Sequence, residues 1–226
     1  MDDDTWALVE AERRSLADLL DGLTPEQWEA ESLCTEWRIR DVAAHLTMTP
    51  AGAPDPWSMI QALARNRGHL WRAGRDVAIA YAQRSTDQIT GDLRRHAASR
   101  TKPVFVVADN ILLDLVVHGQ DIAVPLGVDR PVPPLAGEVA LRRAWAMGWP
   151  FHARRRLAGL GLRADDCDWS SGSGPEVIGS AGALLLLMTH RTDAALDLVH
   201  GPGVEMLTHR TAARVPTSGK PFERGE

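Results

Sequence analysis

A chain of 226 residues is long enough for one large domain or two small ones, each with a core of its own. Hydrophobic residues make up 44% of it and charged residues 24%, values typical of globular proteins and unlike those of disordered ones. The formal net charge of -5 comes without a basic block, which argues against a nucleic-acid-binding or polybasic membrane-binding protein and favours small-molecule partners.

The amino terminus predicts a cytoplasmic protein. It begins with the acidic run Met1–Asp4, where a secretory signal would be basic and then apolar, and no apolar run approaches the ~20 residues of a membrane span. Cys34 and Cys167 lack CxxC spacing, so we expect two ordinary thiols and neither a disulfide framework nor a cysteine-rich zinc site. A monomer and a homodimer are both compatible with the sequence.

The first fifty residues predict three helices. Apolar residues recur at helical spacing from Thr5 to about Leu20. The segment Thr24–Gln27 has the pattern of a capping box with proline at the first helical position, which predicts a short second helix. A third helix is predicted over Ile39–Met48 and ends before Pro50. Within it His45 shares a face with apolar neighbours, so we expect its side chain to lean inward.

Helical patterns continue to about residue 157 and predict a bundle. They cover Trp57–Gly74, Asp76–Ala98 with a break near Ser85 or Gly91, the strongly apolar run Val104–Leu126, and Leu135–Leu157 after the prolines at 131–134. Gly127 is expected just after the helix of the apolar run, as its C′ residue. Four acidic or histidine residues interrupt that apolar run and need partners if they are buried. They are Asp109, Asp114, His118 and Asp121.

The pattern changes after the bundle, and we predict a small α+β domain. Strands are expected at Leu160–Ala164 and Cys167–Trp169, and a hairpin through the turn Ser171–Pro175 returns in Glu176–Gly179. Helices over Ala181–Thr189 and Asp193–His200 and a short strand over Val204–Leu207 follow. The predicted fold is thus α+β but mainly α, with a helical bundle at 1–153, the small domain at 154–212 and a flexible tail at 213–226.

Asp114 and His118 predict a metal site. Their separation of four residues places both side chains on one face of a helix, where both can reach one ion. His45 comes from another helix, and three ligands leave a fourth position open, as in catalytic zinc sites. Spacing alone leaves open the commoner case of histidines that only satisfy hydrogen bonds in a core.

Two further residues are candidates for supporting roles. Asp121 follows His118 by three residues and can orient its imidazole, or it can be an ordinary solvated or helix-capping carboxylate. As a catalytic residue we predict Arg210, which can pair with a substrate carboxylate; the alternative is a surface arginine. Trp37 can line the pocket or pack in the core, and we assign it no catalytic role.

Several segments resemble one family. Cys34–Leu46, which contains the pattern Trp-x-x-x-Asp-Val-x-x-His-Leu, resembles the N-terminal metal-binding domain of the mycothiol-dependent maleylpyruvate isomerase family, within the DinB-like superfamily. Asp114–Ile122 is similar to the second element of that domain, in which a carboxylate precedes the second histidine by four residues. The small domain resembles the C-terminal domain of the family in Leu162–Asp165, Gly172–Val177 and Gly201–Val204.

The resemblance implies a DinB-like four-helix bundle followed by a sterol-carrier-like α+β domain. It also implies zinc or another divalent metal on His45, Asp114 and His118, with mycothiol as the thiol cosubstrate. In an isomerase of this kind the thiolate adds to the double bond of maleylpyruvate, the resulting single bond rotates, and the thiol is eliminated. In an S-transferase the adduct with a small electrophile is released.

Two departures from the family pattern support an alternative. The family usually has glutamate at the position of Asp114, and it usually shows Gly-Arg near Thr189–Arg191. A noncatalytic metal-binding or regulatory DinB-like protein is therefore the second hypothesis. Turnover that depends on a thiol would separate the two.

Overall fold

The computed structural model describes residues 2–52, 56–104 and 106–212. Over these residues the chain forms twelve helices and one three-stranded sheet. The helices are α1 (Asp2–Asp21), α2 (Pro25–Glu29), α3 (Ile39–Met48), α4 (Pro56–Arg65), α5 (Leu70–Tyr81), α6 (Thr86–Arg95), α7 (Ala108–Ala123), α8 (Pro134–Ala146), α9 (Ala153–Arg156), α10 (Ala181–Met188), α11 (Thr192–Leu196) and α12 (Val204–Ala212). The strands are β1 (Gly161–Ala164), β2 (Ser170–Gly172) and β3 (Glu176–Gly179).

Four helices form the bundle that carries the functional site. Both α1 and α3 contact α6 and α7, so that the four close a ring around a shared core. Val9 and Leu16 of α1, Ile39 of α3 and Leu112 of α7 are each at most 1% exposed. Within the described ranges, no helix combines the length and hydrophobicity needed to cross a bilayer.

Local capping sets several helix boundaries. The predicted capping box is present at Thr24, whose hydroxyl accepts a hydrogen bond from the Gln27 N–H while the Gln27 side chain accepts from the Thr24 N–H. Ser85 and Gln88 form the same motif at the start of α6. The predicted break therefore lies at Ser85, and Gly91 is inside the helix.

Two predicted helices are each divided in the structure. The first, Trp57–Gly74, is two helices because Gly68 adopts φ +80 and its N–H bonds back to the Leu63 carbonyl, which ends α4. The second, Leu135–Leu157, ends at Ala146. Pro150 follows and cannot donate a helical backbone hydrogen bond, so the chain restarts as the separate helix α9.

The sheet corrects the predicted hairpin. Strand β1 lies in the centre, antiparallel to β2 and parallel to β3, so β2 and β3 are not neighbours. The second strand is Ser170–Gly172 and not Cys167–Trp169. A Cβ at Gly172 would stand 2.3 Å from the Leu160 carbonyl oxygen. Because glycine has no Cβ, the end of β2 can pass close to the residue before β1. The chain then continues to β3 on the opposite edge of β1.

The last described segment is a helix and not the predicted strand. Leu207 is buried while Glu205, Met206 and His209 are exposed, which is the one-sided pattern of α12 rather than the alternation of a strand. The four residues Val204–Leu207 were too few to distinguish the burial pattern of a helix from that of a strand. The predicted tail at 213–226 lies outside the described residues.

Helix α10 joins the small sheet to the bundle. All of its residues are buried, and it contacts α7, α8, β1 and β3, so one continuous cluster of buried residues extends through both parts. The contact with α8 is close because Gly137 has no side chain. A Cβ there would stand 2.7 Å from the Ala181 Cβ. The division into domains at 153 and 212 stays a prediction.

Gly137→Ala is expected to lower the free energy of unfolding by about 1–3 kcal/mol, because α8 and α10 must move apart to admit one methyl group. The matched control is Gly91→Ala, in the interior of α6, where no atom lies within 4 Å of the added Cβ. That change is expected to be neutral or to stabilise by about 0.5–1 kcal/mol. Urea denaturation of both variants measures the difference, and equal stabilities would contradict the close packing.

Candidate functional site

Three predicted metal ligands meet at the contact between α3 and α7. The Nε2 atom of His45 lies 3.4 Å from Asp114 Oδ2, and the Nε2 atom of His118 lies 3.4 Å from Asp114 Oδ1. His45 is in the last turns of α3, and Asp114 and His118 are one turn apart on α7. The helix packing therefore brings together side chains that are about seventy residues apart in sequence.

The donor atoms fit a divalent ion. One atom from each of the three side chains lies within 4.8 Å of the other two. Ligands about 2.0–2.2 Å from a tetrahedral ion stand roughly 3.4 Å from one another, which matches the spacing between the Asp114 oxygens and the two imidazoles. Asp114 is shorter than the glutamate usual in the family, yet it reaches both histidines.

A buried carboxylate holds His118 in place. The Nδ1 atom of His118 donates to Asp121 Oδ2 at 2.8 Å, because the carboxylate can only accept. This hydrogen bond leaves Nε2, the ring nitrogen that faces Asp114, as the atom that a metal ion can bind. Asp121 is completely buried, whereas a solvated or capping carboxylate would be exposed. Its placement is that of a group which orients a metal-binding imidazole.

Arg191 closes the site from the carboxy-terminal part of the chain. Its Nε and Nη2 atoms donate to the two oxygens of Asp121 at 2.9 and 2.7 Å, and its Nη1 donates to the Thr189 carbonyl at 2.6 Å. Cys34 joins the same group, since its thiol lies 3.0 Å from Asp121 Oδ2 and 3.2 Å from Arg191 Nη2. Neither Arg191 nor Cys34 was predicted from the sequence to lie at this site.

The charged side chains at the site stabilise one another in their ionised forms. Burial alone would raise the pKa of Asp114, but the hydrogen bonds and charges of His118 and His45 outweigh burial and hold its pKa below the usual range. Burial likewise opposes ionisation of Asp121, and its contacts with His118 and Arg191 lower its pKa to about 2. Both carboxylates are therefore charged at neutral pH and available to a cation or a positively charged side chain.

A second set of donors overlaps the first. Cys34, His118 and Asp121 also lie within 4.8 Å of one another. The guanidinium of Arg191, however, is within hydrogen-bond distance of both Cys34 and Asp121. Because this positive charge already compensates Asp121 and would repel a metal ion, the set of His45, Asp114 and His118 is the better site for a metal.

Two cavities open onto the three ligands, and both also contact Arg191. One cavity, of about 430 Å³, has the charged side chains of Glu36, Arg72 and Arg75 in its wall, and we call it the polar cavity after them. The other, of about 380 Å³, has Thr49 and Asn110 beside the ligands and Arg191, but the rest of its lining is aliphatic, aromatic or proline, and we call it the apolar cavity. Its walls include Val106, Ile111, Leu113, Val117, Met147 and Phe151.

Trp37 forms part of the wall of the polar cavity. Its ring centroid lies 5.4 Å from that of His45 and 6.3 Å from that of His118. The turn that carries it has Glu36 in the left-handed region, at φ +65, and Glu36 pairs with Arg75 of α5. Trp37 therefore does both things that the sequence allowed, since it lines the polar cavity and also packs against the hydrophobic core.

Arg210 is not brought to this site. Its Nη1 donates to the Ala158 carbonyl at 3.0 Å and its Nη2 lies 3.2 Å from the Met206 sulfur. It lines a separate cavity of about 510 Å³ with four neighbouring residues, none of which lines either cavity at the ligands. The arginine beside the ligands is Arg191, and the Gly-Arg pattern of the family near Thr189–Arg191 was the available signal for it.

Comparisons with known proteins identify the family of the chain and agree with its fold. A family profile described as the mycothiol maleylpyruvate isomerase N-terminal domain matches residues 9–123. A crystal structure of the mycothiol-dependent maleylpyruvate isomerase superposes with a TM-score of 0.57 at 13% identity, over 89% of this chain and 93% of that chain. A histidine-to-alanine mutant of that enzyme gives a TM-score of 0.55 at 12% identity over the same shares.

The chain matches no curated protein sequence. At identities this low the two crystal structures show the fold, and they confirm the predicted fold class, mainly α with a small α+β part after a DinB-like bundle. The family profile spans more than half of the chain and includes all three residues of the ligand set. The protein therefore belongs to the family of the mycothiol maleylpyruvate isomerase N-terminal domain.

Proposed function

We propose that the protein is a metal-dependent enzyme that uses mycothiol to attack a small electrophile. The observation that carries the proposal is the convergence of His45, Asp114 and His118 at the point where the two cavities meet. A purely structural metal site would be closed by a fourth protein ligand, whereas this one faces open space.

The three ligands would hold a divalent ion, which we propose is zinc, and a bound zinc ion stabilises the deprotonated form of a thiol. The chain's own residues prepare the site for it. Asp121 keeps the proton of His118 on Nδ1, so that Nε2 is free to ligate. Arg191 compensates the charge of Asp121, so that this carboxylate does not compete for the ion. Trp37 shields one side of both imidazoles from water.

The family relation supports mycothiol as the thiol and isomerisation as one reaction type. The two superposed structures are described as mycothiol-dependent maleylpyruvate isomerases. The polar cavity, with its charged side chains, suits the body of a hydrophilic thiol. The second cavity leaves room for an electrophile beside the thiolate. An isomerase would regenerate the thiol after adding it, and an S-transferase would release the adduct.

The proposal predicts turnover that needs both the metal and the thiol. Zinc-loaded protein is incubated with mycothiol and either maleylpyruvate or an electrophile panel, and products are followed by mass spectrometry. An isomer keeps the mass of its substrate, whereas a conjugate gains the mass of the thiol. Chelator-stripped protein is the control, and its activity should return when zinc is restored. Full activity without metal, or no turnover of any electrophile by loaded protein, would refute the proposal.

A further inference from the structure

The apolar cavity differs from what a dicarboxylate such as maleylpyruvate requires. Apart from the metal ligands and Arg191, its described lining has only two side chains with polar atoms, Thr49 and Asn110. The Asn110 side-chain oxygen already accepts a hydrogen bond of 2.5 Å from Arg143 of α8. The remaining walls are aliphatic, aromatic or proline side chains. They offer dispersion contacts and no hydrogen bonds.

Arg191 is the one guanidinium in the described lining, and its charge is already compensated. Nε and Nη2 are both bonded to Asp121, and Nη1 is bonded to the Thr189 carbonyl. Asp121 is completely buried, so a substrate carboxylate that drew Arg191 away would leave a buried charge without its partner. Leaving a buried charge in that state costs several kcal/mol. The arginine therefore offers little to an anionic substrate.

The metal ligands give no surplus positive charge either. Asp114 and one thiolate together would offset both charges of a divalent ion held at His45, Asp114 and His118. A carboxylate entering the apolar cavity would lose its hydration and gain no cationic partner, and burying an unpaired carboxylate is strongly unfavourable. The electrostatics of the cavity thus select against anions.

Exposed apolar side chains also neighbour the lining in sequence. The lining residues Pro103 and Val106 come from the loop before α7, and Val104 and Val107 of the same loop are 87% and 51% exposed. Trp149, next to the lining residue Pro150, is 65% exposed. Exposed apolar side chains beside the lining of a cavity suit an apolar ligand.

We infer that the apolar cavity binds a small, uncharged, apolar electrophile, and that the protein conjugates this molecule to the thiol rather than isomerising a dicarboxylate. The inference rests on the proposed function for the thiol half of the reaction. In the conjugation, the thiolate sulfur forms a bond to the electrophilic carbon, the bond from that carbon to its leaving group breaks, and the leaving group departs with the bonding electron pair. The proton of the thiol passes to water.

The test uses 1-chloro-2,4-dinitrobenzene, from which the thiolate displaces chloride, and maleylpyruvate as the anionic competitor. For zinc-loaded protein with mycothiol we expect kcat/KM for the chlorinated ring to exceed that for maleylpyruvate by at least about tenfold, which corresponds to ~1.4 kcal/mol of preference. A preference for maleylpyruvate would overturn the inference and leave the proposed function standing. Turnover of neither compound, together with no turnover in the wider electrophile panel, would overturn the proposed function.

Binding without chemistry tests the cavity independently of activity. Calorimetry measures the affinity of metal-free protein for 1,3-dinitrobenzene, which lacks the leaving group. Val106→Arg places a cation in the lining and should weaken this binding by about tenfold. The control is Leu135→Arg, an exposed position twelve residues before Met147 and outside the lining, which should bind as the unchanged protein does.

The binding results decide the inference even when no turnover is seen. Binding that is lost in Val106→Arg and kept in Leu135→Arg supports the apolar site. No binding to the unchanged protein, or equal weakening in both variants, overturns it. Val106 lies on a partly exposed loop, so its replacement is not expected to prevent folding, and circular dichroism of each variant verifies this.

Discussion

Replacing His118 with alanine is expected to remove bound zinc and thiol-dependent turnover together. The imidazole is one of three ligands, and its Nε2 stands 3.4 Å from Asp114. Without it, Asp114 and His45 remain as a pair too small to retain the ion. Metal chemistry of this kind supplies several kcal/mol of transition-state stabilisation, so turnover should fall by roughly 1000-fold. Elemental analysis and steady-state kinetics on the same preparation measure both losses.

The matched control is His209→Ala on α12, an exposed histidine that lines neither cavity at the ligands. It should keep the metal and the activity. His45→Ala removes the ligand on the other helix and should likewise abolish zinc binding and thiol-dependent turnover. A folded His118 variant that kept one zinc per chain would show that the ion, if present, is bound elsewhere.

Asp121→Asn is expected to have the second largest effect, on stability and metal affinity at once. The carboxylate is completely buried and bonded to both Arg191 and His118. Loss of its charge leaves the Arg191 guanidinium uncompensated, and breaking a buried pair in this way costs about 3–5 kcal/mol. The imidazole also loses its charged acceptor, which should weaken zinc binding by about 10–100-fold. Denaturation and competition with a chelator measure the two quantities.

A double variant separates the two roles of Asp121. Adding Arg191→Met to Asp121→Asn removes the uncompensated charge and should restore part of the stability, but it should not restore the metal affinity. Recovery of both would mean that Asp121 acts on the metal only through the fold. Asp129→Asn, at an exposed position shortly after α7, is the control and should change neither quantity.

The sequence predicted the parts of the fold that depend on local patterns. The capping box at Thr24, the break near Ser85 and the helix Ile39–Met48 are recognisable within a few residues, because their hydrogen bonds are local. The order of the small sheet was not predictable in this way. It depends on Gly172 passing against Leu160, a contact between residues that no periodicity relates. Short segments such as Val204–Leu207 also carry too few residues to distinguish a helix from a strand.

In the candidate site, too, the residues related by local spacing were predictable and those brought together by the fold were not. Asp114, His118 and Asp121 share one helix, so their spacing alone placed them together. His45 was the inward-facing histidine of another predicted helix, and the family resemblance implied the same ligand set. Arg191 could not be found by spacing, since it reaches Asp121 across seventy residues and belongs to the part of the chain after the sheet. Arg210 has the same chemistry, but the structure places it away from the ligand set, and the family's Gly-Arg pattern near Thr189–Arg191 was the sequence signal that pointed to the other arginine. No role was predicted for Cys34, because a cysteine without a second cysteine at metal-ligand spacing does not indicate a site.

The separate walls of the two cavities have a kinetic consequence for the proposed function. Each cavity reaches the ligand set through its own walls, and only four of the described residues line both. A thiol in one cavity and an electrophile in the other would therefore not exclude each other, and neither would have to leave before the other arrives. Catalysis would then proceed through a ternary complex that can assemble in either order.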